Sequence, residues 1–324
     1  MIMNLANSES TIGRVAPVVD GAPRPFWSVM IPTYNCARFL RQTLESVLSQ
    51  DPGPGRMQIE VVDDASTQDD PEAVVRECGQ GRVQFLRQPR NAGVAANFNT
   101  CIHRSRGHWV HLLHGDDFVL PGFYDQMERA INDRQDIALA CCRVFFVDEQ
   151  GEVESLTPRL RELEAGGRQF PSLERGNPLQ CAGVVVRRSF YEEAGGFNMQ
   201  YRHVADWEMW GRATVNGGAL AVNLPLAAYR EFSDNDTRQL ARTAENLREC
   251  AHLGNDARRT GTLPIHWQQF RRMLVVRAVS QASRFESLAD NEAAAANWRF
   301  WREWAGPMDC LERMARSIVR RLRY

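Results

Sequence analysis

Lysine is absent from this chain; all 39 fixed basic side chains are arginine. The absence removes whole classes of chemistry. A Walker-type phosphate loop and a protein-kinase site each need their lysine, and Schiff-base chemistry with pyridoxal phosphate needs one too. An excess of one sign of charge is also lacking. The 39 basic residues stand against 40 acidic ones, for a net charge of -1, so nothing argues for bulk nucleic-acid binding. No apolar run is long enough to span a bilayer. The N-terminus shows no charged segment leading into an apolar stretch, so no secretory leader is expected. Eight cysteines occur without a Cys-x-x-Cys spacing. Cys141 and Cys142 lie on an apolar strand and suit core packing, which fits a reducing cytoplasm. No Gly-x-Gly-x-x-Gly follows the first apolar strand, which sets aside a dinucleotide-dependent oxidoreductase.

What is present is an alternation of short apolar strands with amphipathic helices over the first half of the 324 residues. That pattern predicts an α/β fold, Rossmann-like, with a mostly parallel sheet covered by helices on both faces. Strands are expected at 27–31, stopped by Pro32, and at 59–62, 83–86, 109–113, 137–147 and 182–186. Helices are expected at 38–49, 71–78, 94–104, 121–132, 189–194 and 206–214. Residues 155–177, rich in Gly, Pro and Arg, read as a loop or mobile insertion. From Thr237 onward the pattern is helical, with breaks expected around Gly254, Gly261 to Pro264 and Gly306-Pro307. The expected organisation is a flexible leader at 1–25, a catalytic domain at 26–236 and a helical C-terminal region at 237–324.

The most informative stretch is Val110 to Phe118, where an apolar run stops at Asp116-Asp117. A buried strand ending in this way marks the sheet edge at which open α/β sheets bind ligands. Two adjacent carboxylates repel, and a hard divalent cation carrying phosphate oxygens is their natural partner. A solvated acidic turn is the plain alternative. Three other places have similar content. Ser28 to Asn35 is a strand breaking into a turn, where Tyr34 and Asn35 can reach a base or ribose. Val61 to Thr67 ends a second strand in Asp63-Asp64. A carboxylate there can accept from a base N–H or a ribose hydroxyl, and Asp64 or Ser66 can equally cap the next helix. Asn91, Gly93, Asn97 and Asn99 put amides at a loop-to-helix junction, where capping is again the alternative. Farther along, Asp206 opens a tryptophan-bearing helix. It suits an N-cap, or a general base whose pKa is raised by low polarity.

Taken in order, Ser28 to Asn35, Val61 to Thr67, Asn91 to Asn99, Leu113 to Asp117, Gly195 to Asn198 and Asp206-Trp207 resemble the family 2 glycosyltransferases. These are inverting, nucleotide-sugar-dependent enzymes of the GT-A fold. The likeness covers residues 27 to about 231 and leaves the helical C-terminal region uncovered. It implies that Pro32, Tyr34 and Asn35 line the nucleotide pocket and that Asp64, with Asp63, contacts the base. Asn91, Gly93, Asn99 and Asp117 join the nucleotide-sugar-binding set. His114-Gly115-Asp116 takes the place of the family's Asp-x-Asp motif, so His114 and Asp116 would hold the ribose and a divalent metal, Mn²⁺ or Mg²⁺. Asp206 would be the catalytic base, with Trp207 and Trp210 shaping the acceptor side. Arg230, after Tyr229, falls where the family carries a basic residue near the diphosphate.

Three departures from the family pattern stand out. His114 replaces an Asp, and imidazole suits Mn²⁺ better than Mg²⁺. Ala205 replaces the Glu before the base. Phe232 stands where many relatives carry a metal-binding His. The implied activity is sugar transfer from a nucleotide-diphosphate sugar to a saccharide or lipid-linked acceptor, in cell-surface polysaccharide or glycoconjugate synthesis. The implied location is the cytoplasm or the inner face of the membrane. The alternative is a degenerate domain that binds a nucleotide or a protein partner. A sugar nucleotidyltransferase would share the fold, but its Gly-rich loop and lysine are missing. At the C-terminus, Trp298, Trp301 and Trp304, followed by Arg313, Arg316, Arg320, Arg321 and Arg323, suit two arrangements. One is an amphipathic helix in peripheral contact with an anionic membrane; the other is a helix packed within the protein, with arginines outward.

Overall fold

The computed structural model describes residues 12–18, 21, 23–232 and 236–306. Two compact units divide them, one from Met1–Phe170 and Pro178–Phe232, the other from Pro171–Asn177 and Ser233–Tyr324.

The first unit begins with β1 (Trp27–Thr33), α1 (Ala37–Leu48), β2 (Met57–Asp63), α2 (Pro71–Gly79), β3 (Gln84–Arg87), α3 (Val94–Arg104) and β4 (Trp109–Leu112). It continues with β5 (Phe118–Val119), α4 (Phe123–Ile131), β6 (Leu139–Val147), β7 (Val153–Leu156), β8 (Val184–Arg187), α5 (Arg188–Ala194), α6 (Ala205–Gly217) and β9 (Ala219–Arg230). The sheet order is β3-β2-β1-β4-β8-β6-β9-β5, with β7 paired to β6. Parallel pairing joins β3, β2, β1 and β4, and recurs between β6 and β9. β8 runs antiparallel to both β4 and β6, while β5 and β7 are also antiparallel to their neighbours. The parallel arrangement read from the sequence therefore describes the first half, and the sheet as a whole is mixed.

Every residue of β1 is buried, as a central strand covered on both faces requires. Pro32 does not end it. It stays in register with Val62, and its carbonyl accepts from Gly115 N at 3.1 Å. α1 buries Phe39, Leu40, Thr43, Leu44 and Val47, one face at helical spacing. α2 starts at Asp70, whose carboxylate accepts from Ala73 N at 3.1 Å, with Pro71 in its first turn. The core gathers Trp27, Ile31, Leu44, Val61, Trp109 and Phe123. Residues expected to be a loose leader are in part held down. Ile12 bridges Asn198, and Gly196 N donates to Gly13 O at 3.0 Å. Three elements went unread in the sequence: β5, β7 and the long β9.

The second unit contains α7 (Asp236–Thr243), α8 (Glu245–Thr260), α9 (Trp267–Ser287) and α10 (Asn291–Trp304). Gly254 does not break the helical pattern but lies inside α8, where a Cβ would come 2.1 Å from the Phe270 ring, so glycine lets α8 approach α9 closely. The tryptophans pack within the unit. Trp304 stacks on Phe300 at 5.6 Å and meets Trp267 at 6.2 Å, while Trp298 donates to Glu286 at 2.7 Å. Arg313, Arg316, Arg320, Arg321 and Arg323 lie outside the described residues. Among the described residues, no helix is long and apolar enough to cross a membrane.

Candidate active site

The carboxyl ends of β1, β2 and β4 carry most of the residues singled out in the sequence. β4 leads directly into His114-Gly115-Asp116-Asp117. A Cβ at Gly115 would sit 2.6 Å from Thr33 Oγ1 and 3.0 Å from Cys36 Sγ, so only glycine lets this turn lie against the end of β1. The turn is secured from two directions. From α1, the buried Thr43 hydroxyl lies 3.0 Å from the Gly115 carbonyl and 2.7 Å from that of Asp117; its one proton serves one of them at a time. From β9, Arg230 N donates to Asp117 Oδ1 at 2.9 Å, and Arg230 Nε donates to the Asp116 carbonyl at 3.1 Å.

Ligand atoms of His114, Asp116 and Asp117 fall within 4.8 Å of one another. The His114 ring stacks on Phe98 at 5.2 Å. Its Nδ1 is 3.7 Å from Asp117 Oδ2, too far for a hydrogen bond. Asp117 Oδ2 and His114 Nε2 are both buried with no hydrogen-bond partner. Burial pushes the His114 pKa down, against the pull of the Asp116 charge, so the imidazole is neutral and can act as a ligand. Burial raises the pKa of Asp116, and it raises that of Asp117 further, with the Asp116 charge adding to the effect. Neutral imidazole, two carboxylates under mutual repulsion and orphaned buried acceptor atoms form a donor set that fits a divalent cation. Asp117 thus joins the pair expected from the sequence. Phe232 packs on Phe39 at 5.1 Å and offers no donor atom.

The Asp63-Asp64 pair is built differently. Asp63 Oδ1 accepts from the Ser66 hydroxyl at 2.5 Å and Oδ2 accepts from Arg87 Nε at 2.8 Å, with the Ser66 amide nearby at 3.1 Å. Asp64 accepts from Ala92 N at 2.8 Å and Gly93 N at 2.9 Å. Burial still raises the Asp64 pKa, the two backbone bonds opposing it. Asn35, at φ 49, accepts from Thr67 N at 2.9 Å and Gln68 N at 3.1 Å, so it links the loops after β1 and β2. Tyr34 is 46% exposed, and Asn91, in the loop between β3 and α3, is exposed too. Asn99 is buried and clamps Phe197, donating to its carbonyl at 3.0 Å and accepting from its amide at 2.7 Å. A Cβ on Gly196 would strike Asn99 Oδ1 at 2.2 Å, which accounts for the Gly195-Gly196 pair on packing grounds.

Asp206 lies in the first turn of α6, where Oδ1 accepts from Trp207 N at 2.6 Å. Its Oδ2 is 4.0 Å from Cys181 Sγ. Burial pushes the Cys181 thiol up, and the charges of Asp206 and Asp117 push it further. One thiol therefore lies in the field of both carboxylates. The turn that carries it is tied to β4 by a 3.0 Å contact between Ala182 O and His111 Nε2. A chain of rings makes a second link. His114 stacks on Phe98, Phe98 meets Phe197 edge-on at 5.0 Å, and Phe197 meets Trp210 of α6 at 5.7 Å. This chain of packed rings runs from the acid turn to α6. Thr43, Gln42 and Cys181 were not singled out in the sequence. A buried Thr in a helix and a Cys after a loop carry no motif.

Comparison with known proteins gives the same picture. Residues 28–195 match the model of the family described as Glycosyl transferase family 2. A chondroitin synthase of Escherichia coli is 33% identical over 206 residues, which are 61% of this chain and 28% of that protein, so the chain spans little more than a quarter of that relative's length. The fold is shared with a mannosyltransferase of Pyrobaculum calidifontis, PcManGT, solved with GDP-Man and Mn²⁺ (TM-score 0.54, 18% identity, 94% of this chain and 82% of that one). It is also shared with residues 1–349 of S. aureus TarS, solved with UDP (TM-score 0.53, 14% identity, 87% of this chain and 92% of that one). The family model covers more than half of the sequence, and the architecture is that of the GT-A enzymes: this chain belongs to glycosyltransferase family 2.

Proposed function

We propose that this enzyme moves a sugar from a nucleotide-diphosphate sugar to an acceptor hydroxyl with inversion at the anomeric carbon, in the synthesis of a cell-surface polysaccharide or glycoconjugate. The catalytic domain would be residues 26–236, with 237–324 as a helical region. The donor nucleotide would lie over the ends of β1 and β2. There Pro32, Tyr34, Asn35 and Asp64 would face the base, with the exposed Asn91 in the same donor-binding set, while Asp63, Gly93 and Asn99 would hold the surrounding loops in shape. A carboxylate oxygen has more than one lone pair, so Asp64 can accept from a base while keeping its backbone bonds. His114, Asp116 and Asp117 would hold a divalent cation, Mn²⁺ or Mg²⁺, which supplies positive charge where the departing diphosphate becomes negative.

Asp206 is the proposed general base. The acceptor oxygen attacks the anomeric carbon from the face opposite the phosphate as the carbon–oxygen bond to the diphosphate breaks. Asp206 takes the hydroxyl proton, and the nucleoside diphosphate leaves. Such help contributes on the order of a hundredfold to ten-thousandfold in rate. Attack on the far face turns an α-linked donor into a β-linked product.

The observation that carries this reading is the convergence at Cys181, where Asp206 Oδ2 approaches to 4.0 Å and the Asp117 charge is also felt. The UDP and GDP-Man bound by the structural neighbours support the donor class, and the likeness to a chondroitin synthase supports a polysaccharide product. The cysteines among the described residues are free, which supports a reducing compartment. A melting panel of UDP-, GDP-, dTDP- and CDP-sugars with Mn²⁺ or Mg²⁺ tests the donor site: one base should raise the melting temperature in a metal-dependent way. Proton NMR of the product then reads the stereochemistry. Retained configuration would overturn the single displacement.

A further inference from the structure

We infer that Arg230 is a positioning residue, a strut that presets the acid turn for its cation, and that it does not contact the donor diphosphate. The inference rests on the metal reading of His114, Asp116 and Asp117 given above. Arg230 is 2% exposed, and every nitrogen of its guanidinium is engaged within the protein. Nε donates to the Asp116 carbonyl at 3.1 Å. Nη1 donates to the carbonyls of Asp148 and Glu149 at 3.1 and 2.9 Å, and Nη2 donates to Gln42 Oε1 at 2.5 Å. Its faces are covered as well, with the Phe39 ring 4.6 Å and the Phe118 ring 5.6 Å from the guanidinium carbon. Four of the five N–H donors are thus spent within the protein, and the side chain is buried away from the donor cleft's solvent.

The same residue decides which atoms of the acid turn remain free. Its backbone N–H occupies Asp117 Oδ1 at 2.9 Å, so Oδ2 is the oxygen turned toward His114, 3.7 Å from Nδ1, and left without a partner. The guanidinium meanwhile fixes the Asp116 backbone against α1 and against the turn between β6 and β7. A rigid fork that bonds several carbonyls at once is a task for Arg and not for Lys, whose ammonium is a single point. Outer partners of this kind govern metal affinity, and their loss typically weakens binding about 10- to 100-fold.

The test is Mn²⁺ binding to the full chain without nucleotide, followed by loss of the free-ion electron paramagnetic resonance signal. Four proteins are compared: the natural chain, Arg230→Lys, Arg230→Gln and Gln42→Ala. A strut predicts that both Arg230 variants bind Mn²⁺ at least about tenfold more weakly, with Lys giving no rescue. Gln42→Ala, at an exposed helix position, should weaken binding in the same direction by a few-fold, and it keeps the test decisive if the Arg230 variants do not fold. A side chain that merely carried charge toward a diphosphate would repel the cation. In that case Arg230→Gln would bind Mn²⁺ more tightly, and Arg230→Lys and Gln42→Ala would match the natural chain; this pattern overturns the inference. Failure of the natural chain itself to bind Mn²⁺ would remove the metal reading, and the strut with it.

Discussion

Two Asp-Asp pairs follow the parallel strands on either side of β1, and they are built in opposite ways. Asp63-Asp64 at the end of β2 has a protein partner on every oxygen, Ser66 and Arg87 on Asp63 and the Ala92 and Gly93 amides on Asp64. Asp116-Asp117 after β4 is held through the Asp116 carbonyl and Asp117 Oδ1, while Asp117 Oδ2 and the neighbouring His114 Nε2 are left over. The two histidines of this segment repeat the contrast. His111, inside β4, has Nδ1 at 3.2 Å from the Tyr124 hydroxyl and Nε2 at 3.0 Å from Ala182 O; His114, at the tip, has a nitrogen without a partner. Satisfied polar groups build a scaffold, and unsatisfied buried ones carry a penalty of about 1–3 kcal/mol that a ligand can relieve.

That contrast can be broken by substitution. The largest effect is expected for Asp116→Ala, which should lower sugar transfer on the order of a thousandfold while leaving the melting temperature unchanged or higher, because a buried repulsion is lost. A comparable fall in melting temperature would make this pair a scaffold like the other. Asp63→Ala should do the reverse. It strands Ser66 and Arg87 beside a vacated buried position and should cost roughly 2–4 kcal/mol of stability in urea unfolding. If that variant proved fully stable yet unable to bind any donor nucleotide, the division between the two pairs would fail.

The smallest effect concerns the histidines. Burial lowers the His111 pKa from 6.5 to about 3. The unfolded chain therefore takes up this proton first, and stability conferred by neutral His111 is present above about pH 6.5 and is lost as pH falls toward 3. Its contribution to the slope is about 1.4 kcal/mol per pH unit at most. Urea midpoints measured from pH 7 to pH 4 should fall less steeply for His111→Gln; an identical slope would show that His111 is not the group that titrates on unfolding.

Much of the first half of the fold was legible because its signals are local. The helix expected at 94–104 spans Val94–Arg104 in the structure, and α1 lies within one residue of its expected limits. β9 was not legible. It is rich in alanine, lacks strict alternation, and carries Pro225 at a point where its pairing with β6 shifts register. β7 straddles the start of the expected loop at 155–177, and it carries little signal because its residues are largely exposed and it pairs with β6 at the side of the sheet path. Within the site, the sequence marked which acids stand at strand ends. It held no sign of which oxygens would be occupied, because those partners come from far along the chain: Arg87 for Asp63, the loop at 92–93 for Asp64, and Arg230 for Asp117. Thr43 illustrates the same point. It reads as one more position on the buried face of α1, yet its hydroxyl reaches the acid turn.

In the proposed transfer Asp206 serves the chemistry and not the scaffold. The most direct measurement is turnover and donor binding by Asp206→Asn, whose side chain has the same shape but cannot take up the proton. Transfer should fall at least about a hundredfold, while the donor-induced rise in melting temperature matches that of the natural chain. Turnover near the natural rate would contradict the account.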